Sequence, residues 1–188
     1  MLRTRIAVMF IPLFISGAAF AGTPGRPDIS EKAGKLSQTF SVLHAATQTS
    51  IKISEMADQR AKSDLVKSYA RTMATANSEA DARLMAVAQK NGIPVVPLDP
   101  QSEEGKSLVD RFKAETVLLS SLQGDAWDKE YMTLVTNTQQ SVIHLLESRK
   151  ALASDKDVKQ FLGEMATTVQ NRLKTAQDVM AKIYGDEV

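Results

Sequence analysis

The stretch that decides the fold reads SDLVKSYARTMATANSEADARLMAVAQKNG and runs from Ser63 to Gly92. Its apolar residues recur at steps of three or four, at Leu65, Tyr69, Met73, Ala76, Ala80, Leu84 and Val87. This spacing puts one apolar side chain per turn on a single face of an α-helix. Ser63 is a residue type that caps helix N-termini, and Asn91-Gly92 is a typical C-terminal stop. The stretch predicts an amphipathic helix, and nothing in it indicates catalysis.

The same periodicity predicts three more long helices and a shorter one. The first is expected from about 29 to 59, behind a capping-box pattern at 28–31. The shorter helix is expected from 102 to about 123. The last two long helices are predicted to begin behind the caps Asp125 and Ser154.

The connections between these helices define the fold class. Residues 60–62 join the first two helices, and so short a connection makes them lie side by side and antiparallel. Gly92 to Pro100 holds three prolines and cannot continue a helix. We predict an all-α fold, an antiparallel, ferritin-like four-helix bundle with an additional shorter helix and one proline-rich crossing loop.

The N-terminus has the pattern of an export signal. Arg3 and Arg5 precede an apolar run at 6–15, and Ala19-Phe20-Ala21 is a small-x-small cleavage site. From residue 6 to residue 21 there are only 16 residues, whereas a membrane span needs roughly 20.

This pattern predicts the domain organisation and the compartment. We expect a signal peptide at 1–21, cleaved after Ala21, a linker at 22–27 and a single helical domain at 28–188. The mature protein is then expected in the periplasm or at the outer membrane.

Composition limits the classes of function. Without Arg3 and Arg5 the chain has 21 basic and 22 acidic residues, alternating along the predicted helices. Neither a nucleic-acid-binding face nor a polybasic membrane tether is therefore predicted. No apolar run of about 18 residues follows the signal, so no transmembrane segment is expected in the mature chain. The chain has no Cys, which excludes disulfides, Cys-ligated metals and covalently attached haem.

Four short motifs carry a family resemblance. They are MADQRA at 56–61, VKSYARTM at 66–73, GDAWDKEYM at 124–132 and VKQFL at 158–162. With these motifs the chain resembles the bacterial domain-of-unknown-function 4142 family, over about 40–180. The resemblance implies an exported protein with a ferritin-like four-helix bundle. It implies no biochemical role, because the family has none that is settled.

The chain departs from the family where members commonly show an acidic residue and histidines that look like a metal site. The corresponding positions hold Ser50, Asn77, Thr138 and Arg172. We therefore expect the ligands of that site to be lost here. The four residues are predicted to form a polar layer inside the bundle, either a structural relic or a small pocket for an anion. An unpaired buried guanidinium is costly, so Arg172 must find acceptors or reach the bundle edge.

The remaining side chains give little support to metal or catalytic chemistry. A ferritin-like di-iron centre uses Glu-x-x-His pairs, but the residues three before His44 and His144 are both Ser. Both histidines are expected at the boundary of the core. The methionines of the mature chain are expected as core fillers (Met56, Met73, Met85, Met132, Met165 and Met180). There is no Gly-x-Ser-x-Gly motif and no Gly-rich phosphate loop. We predict no catalytic residue, no cofactor and no metal ligand.

These observations favour a non-enzymatic envelope protein of unknown biochemical role, either a binding module or a stress-related structural one. An unknown protein partner is expected to contact the proline loop through Val95, Val96 and Leu98. A homodimer is a further option. The alternative is a ferritin-like metal binder or oxidoreductase with an atypical site that uses His44, His144 and scattered Glu.

Overall fold

The fold consists of α-helices joined by short connections. The computed structural model describes residues 29–101 and 103–185. Its helices are α1 (Ile29–Arg60), α2 (Asp64–Lys90), α3 (Glu103–Ser121), α4 (Gly124–Lys150) and α5 (Lys156–Tyr184), and these residues contain no strand. The prediction of an all-α fold with four long helices and one shorter helix is confirmed. No described helix is long and apolar enough to cross a membrane.

The predicted signal peptide, the linker at 22–27 and the expected cap at Asp28 lie outside the described residues.

The four long helices form two antiparallel hairpins. α1 packs along α2 and α4 packs along α5, as the short turns at 61–63 and 151–155 require. α2 also packs against α5, while α1 contacts α4 more sparsely. α3 lies against α1 and α4. The result is a four-helix bundle with a short fifth helix on the α1–α4 side.

The stretch from Ser63 to Gly92 forms α2 and its caps, and the buried face of this helix differs from the predicted one at one position. Ser63 and Asn91 are the caps, as expected, although the Ser63 side chain makes no capping hydrogen bond. Of the predicted stripe, Tyr69 and Met73 are buried, but Leu65 is 46% exposed. Val66 is fully buried instead. The packed face therefore starts one residue later, because Val66 and not Leu65 faces the neighbouring helices.

Two predicted caps are wrong. α4 begins at Gly124 with Gln123 at the N-cap, so Asp125 lies in the first turn. In the first turn its negative charge still interacts favourably with the positive end of the helix dipole. The N-cap of α5 is Asp155 and not Ser154, because the Asp155 carboxylate accepts the Val158 N–H at 3.0 Å.

The buried side chains form two apolar clusters, one towards each end of the bundle. The first surrounds the α1–α2 turn and includes Val66, Tyr69, Met73, Leu119, Trp127, Tyr131 and Met132. The second surrounds the α4–α5 turn and includes Phe40, Leu43, Leu84, Leu146, Val158, Phe161, Leu162 and Val169. Between the two clusters the interior becomes more polar.

Asp128 joins the two hairpins at one end of the bundle. Its carboxylate accepts the backbone N–H of Lys62 at 2.9 Å and that of Ser63 at 2.7 Å. Both donors belong to the α1–α2 turn, and Asp128 is only 1% exposed. A buried carboxylate is tolerated when its oxygens are hydrogen-bonded, and these two bonds meet that requirement.

Candidate functional site

The candidate site is a cavity between the two apolar clusters. It has a volume of about 80 Å³ and is lined by side chains of α1, α2, α4 and α5. Leu43 and Val169 of one cluster and Ile53 and Met73 of the other border it. The cavity therefore lies near mid-height in the bundle, where all four long helices meet.

The four residues that depart from the family pattern all line this cavity. Ser50 comes from α1, Asn77 from α2, Thr138 from α4 and Arg172 from α5. Each long helix thus contributes one of them. They meet because Asn77, Thr138 and Arg172 lie near the middle of their helices and Ser50 lies at the same level of the bundle, about two-thirds of the way along the longer α1.

Arg172 brings a positive charge to the cavity wall. Its Nη1 donates to Asn77 Oδ1 at 3.0 Å and its Nη2 donates to the Ala76 carbonyl at 2.9 Å. It forms no ion pair with any residue in the described ranges. Burial lowers the pKa of the Arg172 guanidinium, which still stays charged at neutral pH. Both of its hydrogen-bond acceptors are therefore neutral, and the negative charge of Glu79 acts on it from beyond ion-pair distance.

Gln139 lines the cavity next to Thr138, and sequence reasoning missed it. Its Nε2 lies 3.0 Å from the Tyr69 hydroxyl, its Oε1 has no partner, and the residue is 7% exposed. Burial raises the pKa of Tyr69 to about 12, so this hydroxyl is neutral and can donate or accept. Whichever amide atom pairs with it, the other is unpartnered. The available signal was that Thr138 and Gln139 together interrupt the apolar stripe of α4.

Ser50 and Thr138, the two hydroxyl residues among the four that depart from the family pattern, each have a hydrogen-bond partner. Ser50 Oγ donates to the Ala46 carbonyl at 2.9 Å, one turn back along α1. Thr138 Oγ1 accepts from Arg111 Nη2 of α3 at 3.0 Å. Arg111 is paired with Glu115 through its Nε at 2.6 Å. Thr138 therefore connects the cavity wall to the short helix outside the bundle.

The histidines lie apart from the cavity. His44 Nδ1 is 2.7 Å from Asp81 Oδ1, and Gln48 Nε2 donates to Asp81 Oδ2 at 2.7 Å. Asp81 is buried, so these two α1 side chains satisfy a buried carboxylate of α2. His144 is exposed on α4. Across residues 29–101 and 103–185, no group of three His, Asp or Glu side chains is placed to hold a metal ion.

The methionines take different positions. Met73 and Met165 line the cavity, and Met132 is buried in the core. Met56 and Met180 pack against the first cluster, while Met85 is 39% exposed. Two thioethers thus face the same cavity as Arg172.

The proline loop runs back along α1. The Ser37 hydroxyl donates to the Pro94 carbonyl at 2.7 Å, and the Val96 N–H donates to Ser41 Oγ at 3.0 Å. Val95 packs against the second cluster and Leu98 is half-buried, while Val96 is 55% exposed. Of the three predicted contact residues, Val96 is the one that the loop presents to solvent.

The fold and this interior define a class: an all-α bundle of two helical hairpins with a cavity between two apolar clusters. The chain belongs to the DUF4142 family, whose sequence model, described as "Domain of unknown function (DUF4142)", matches residues 23–179. The resemblance found in the sequence is confirmed by this match.

A solved structure has a similar fold. It is the crystal structure of a DUF305 protein from Streptomyces coelicolor, whose description proposes that it is secreted. The two chains are 16% identical and superpose with a TM-score of 0.62 over 78% of this chain and 93% of that one. At this identity the likeness shows the fold alone. None of the curated proteins compared with the chain matches it.

Proposed function

We propose that the mature protein is an exported, non-catalytic binding module whose ligand site is the cavity between the four long helices. Its place of action is the periplasm or the outer membrane, in keeping with the export signal predicted at 1–21. The observation that carries the proposal is Arg172, a partly buried cation on the wall of a cavity, with no carboxylate of the described residues within ion-pair distance.

Energetics favour a binding role over a relic. Replacing buried ionic groups by apolar ones of similar size is often neutral or stabilising. If the bundle were selected for stability alone, a partly buried Arg172 guanidinium and a Gln139 amide with one unpartnered atom would not be favoured in its interior. A ligand that supplies the missing hydrogen bonds would stabilise both the guanidinium and the amide.

The chemistry of the wall favours binding over catalysis. Arg172 is the one charged side chain that lines the cavity within the described residues, which contribute no Asp, Glu, His or Lys to it. Arginine does not act as a general base at neutral pH. The wall offers hydrogen-bond donors and apolar surface, which hold and orient a small molecule.

Methionine methyl groups provide a direct test. The mature chain, labelled with ¹³C at the Met methyl groups, is titrated with a panel of short alcohols, amides, carboxylates and inorganic anions. A ligand in the cavity is expected to shift the signals of Met73 and Met165 and to leave exposed Met85 unchanged. If no compound moves Met73 or Met165, or if all three move alike, the cavity is not the ligand site.

Arg172→Leu gives the complementary stability test. If the guanidinium is retained for a ligand, this variant is expected to melt at a higher temperature than the wild type. Added ligand should then no longer shift the methyl signals of Met73 and Met165. The matched control is Arg71→Leu, which removes an exposed arginine paired with Asp58 and should do neither. A stabilised variant that still responds like the wild type would contradict a ligand role for Arg172.

A second candidate function is capture of a protein partner in the envelope. The observation that favours it is the exposed Val96, since Ile93 and Val95 of the same loop pack against the second cluster. A photo-crosslinking residue at position 96 is expected to yield adducts in cells, and one at exposed Gln101 is the control. Equal adducts at both positions would remove this candidate. Adducts with a second copy of the chain would indicate a homodimer.

The metal-binding alternative makes a different prediction. Mature protein purified from the periplasm without nickel chromatography is expected to carry no stoichiometric metal, because no ligand group gathers in the described residues. Stoichiometric iron, copper, zinc or manganese would contradict the binding-module proposal and favour the atypical ferritin-like site.

A further inference from the structure

We propose that the cavity takes a short monocarboxylate, with the carboxylate on Arg172 and Asn77 and the alkyl chain against the apolar wall. This inference rests on the proposed function and names its ligand class. Three features of the site carry it: the orientation of the donors, the balance of charge and the size of the space.

The donors at Arg172 and Asn77 have fixed roles. A guanidinium only donates, so the Asn77 atom that faces it, 3.0 Å away, must be the carbonyl oxygen. The Asn77 amide nitrogen is thereby turned away from Arg172 and makes no hydrogen bond with a described residue. Arg172 has used two of its five N–H groups. Two neighbouring side chains on the cavity wall therefore have N–H groups left for an acceptor.

Carboxylates match such a pair of donors. Arginine binds a planar carboxylate through two parallel N–H···O bonds, and the amide N–H of Asn77 can serve a remaining lone pair. Both residues are half-buried rather than enclosed, so a charged group reaches them without crossing an apolar cluster.

The charge balance selects a monoanion. Arg172 is the one cation on the wall within the described residues. The wall lies at the middle of the long helices, where backbone N–H groups are already bonded to carbonyls one turn back. A dianion, such as sulfate or the doubly charged form of phosphate, would therefore keep one charge without compensation.

The size and the rest of the wall select a short, partly apolar molecule. The volume of about 80 Å³ is roughly half of the ~150 Å³ cavity that admits benzene, and it holds two to three waters at ~30 Å³ each. That space suits a carboxylate of about two to four carbons. The rest of the wall includes the apolar side chains of Leu134, Val142 and Met165, against which an alkyl chain can pack.

The test uses propionate as the probe and propionamide as its neutral match. Sodium propionate, compared with sodium chloride at equal ionic strength, is expected to raise the melting temperature and to shift the Met73 and Met165 methyl signals. At tenfold excess over the dissociation constant, the folding equilibrium should rise about elevenfold. Propionamide, phosphate and sulfate are expected to bind at least about tenfold more weakly.

Two variants of the donor pair separate charge from folding. Arg172→Gln keeps a polar side chain without the charge and is expected to weaken propionate binding more than about tenfold. Asn77→Asp places a carboxylate beside Arg172, where it should form an ion pair, raise the melting temperature and exclude propionate. Because this second variant is expected to be more stable than the wild type, misfolding cannot account for its loss of binding.

Different results overturn different claims. Propionate that acts no better than chloride or phosphate, or that binds Arg172→Gln and Asn77→Asp like the wild type, overturns the monocarboxylate assignment. If propionate fails while a neutral compound shifts Met73 and Met165, the cavity is still a ligand site but of another class. If nothing shifts them, both proposals fail.

Discussion

Among single residues, Asp128 makes a contact that its local sequence does not reveal. It lies just after the first turn of α4, whose acidic residue is Asp125. The structure uses its carboxylate to hold the α1–α2 turn, through two backbone N–H groups about 65 residues earlier in the chain. A local motif does not reveal a partner that distant.

Asp128→Ala is expected to destabilise the protein by about 2–4 kcal/mol, because two backbone N–H groups lose a charged acceptor in a buried position. The quantity to measure is the free energy of unfolding in urea. Asp125→Ala is the control: Asp125 is exposed and paired only with Lys62, so its loss should cost less than about 1 kcal/mol. Equal losses in the two variants would show that the two bonds do not hold the turn.

The three tyrosines are expected to resist ionisation in the folded protein. Burial raises the pKa of Tyr69 and of Tyr184 to about 12, and raises that of Tyr131 as well. Since the folded-state pKa values lie above the unfolded value of about 10, their contribution to stability is complete below pH ~10. It is lost as the pH rises through about 12.

Phenolate absorbance at 295 nm measures this directly. The folded protein should show little absorbance rise until well above pH 10, and the same chain in concentrated urea should titrate near pH ~10. A folded-state midpoint near 10 for all three residues would contradict the burial of their hydroxyls.

Among the elements, α3 is the least integrated helix. Its Val117 is 70% exposed, Val109 and Leu118 are also exposed, and Leu119 is buried. Phe112 packs against the first apolar cluster, and Arg111 donates a hydrogen bond to Thr138. An element with few buried apolar side chains opens locally at low free energy.

Amide hydrogen exchange is therefore expected to be faster in α3 than in the middle of α2 or α5. Leu119→Ala should speed exchange in α3 further, since it removes a buried side chain of that helix. The matched variant is Leu118→Ala, which changes an exposed neighbour and should have little effect. If α3 exchanges as slowly as α2 in the wild type, the helix is a full member of the bundle.

Periodicity predicted the elements better than it predicted their contacts. The existence, type and order of the helices follow from apolar spacing, because burial of one face is what stabilises a helix in a protein. It did not show that Val66 rather than Leu65 is buried, since this depends on how the helix is rotated against its neighbours. Gln139 was missed because a glutamine on a helix usually indicates a solvent-exposed face.

On the scale of the whole molecule, the interior is arranged in three layers along the bundle axis. An apolar cluster lies at each end, and between them lies the cavity, whose largely apolar wall also carries a few polar side chains. The sequence predicted a polar layer of Ser50, Asn77, Thr138 and Arg172, and in the structure all four line this one cavity. The cavity itself was beyond sequence reasoning, because its volume depends on the packing of four helices at once.

The contact between Asp128 and the α1–α2 turn also limits which substitutions the sequence tolerates at the positions involved. Its two donors are backbone N–H groups of residues 62 and 63, which every amino acid except proline provides. The acceptor, by contrast, is a particular side chain. Mutational tolerance should therefore be unequal on the two sides of one contact: broad at positions 62 and 63 with proline excluded, and narrow at position 128.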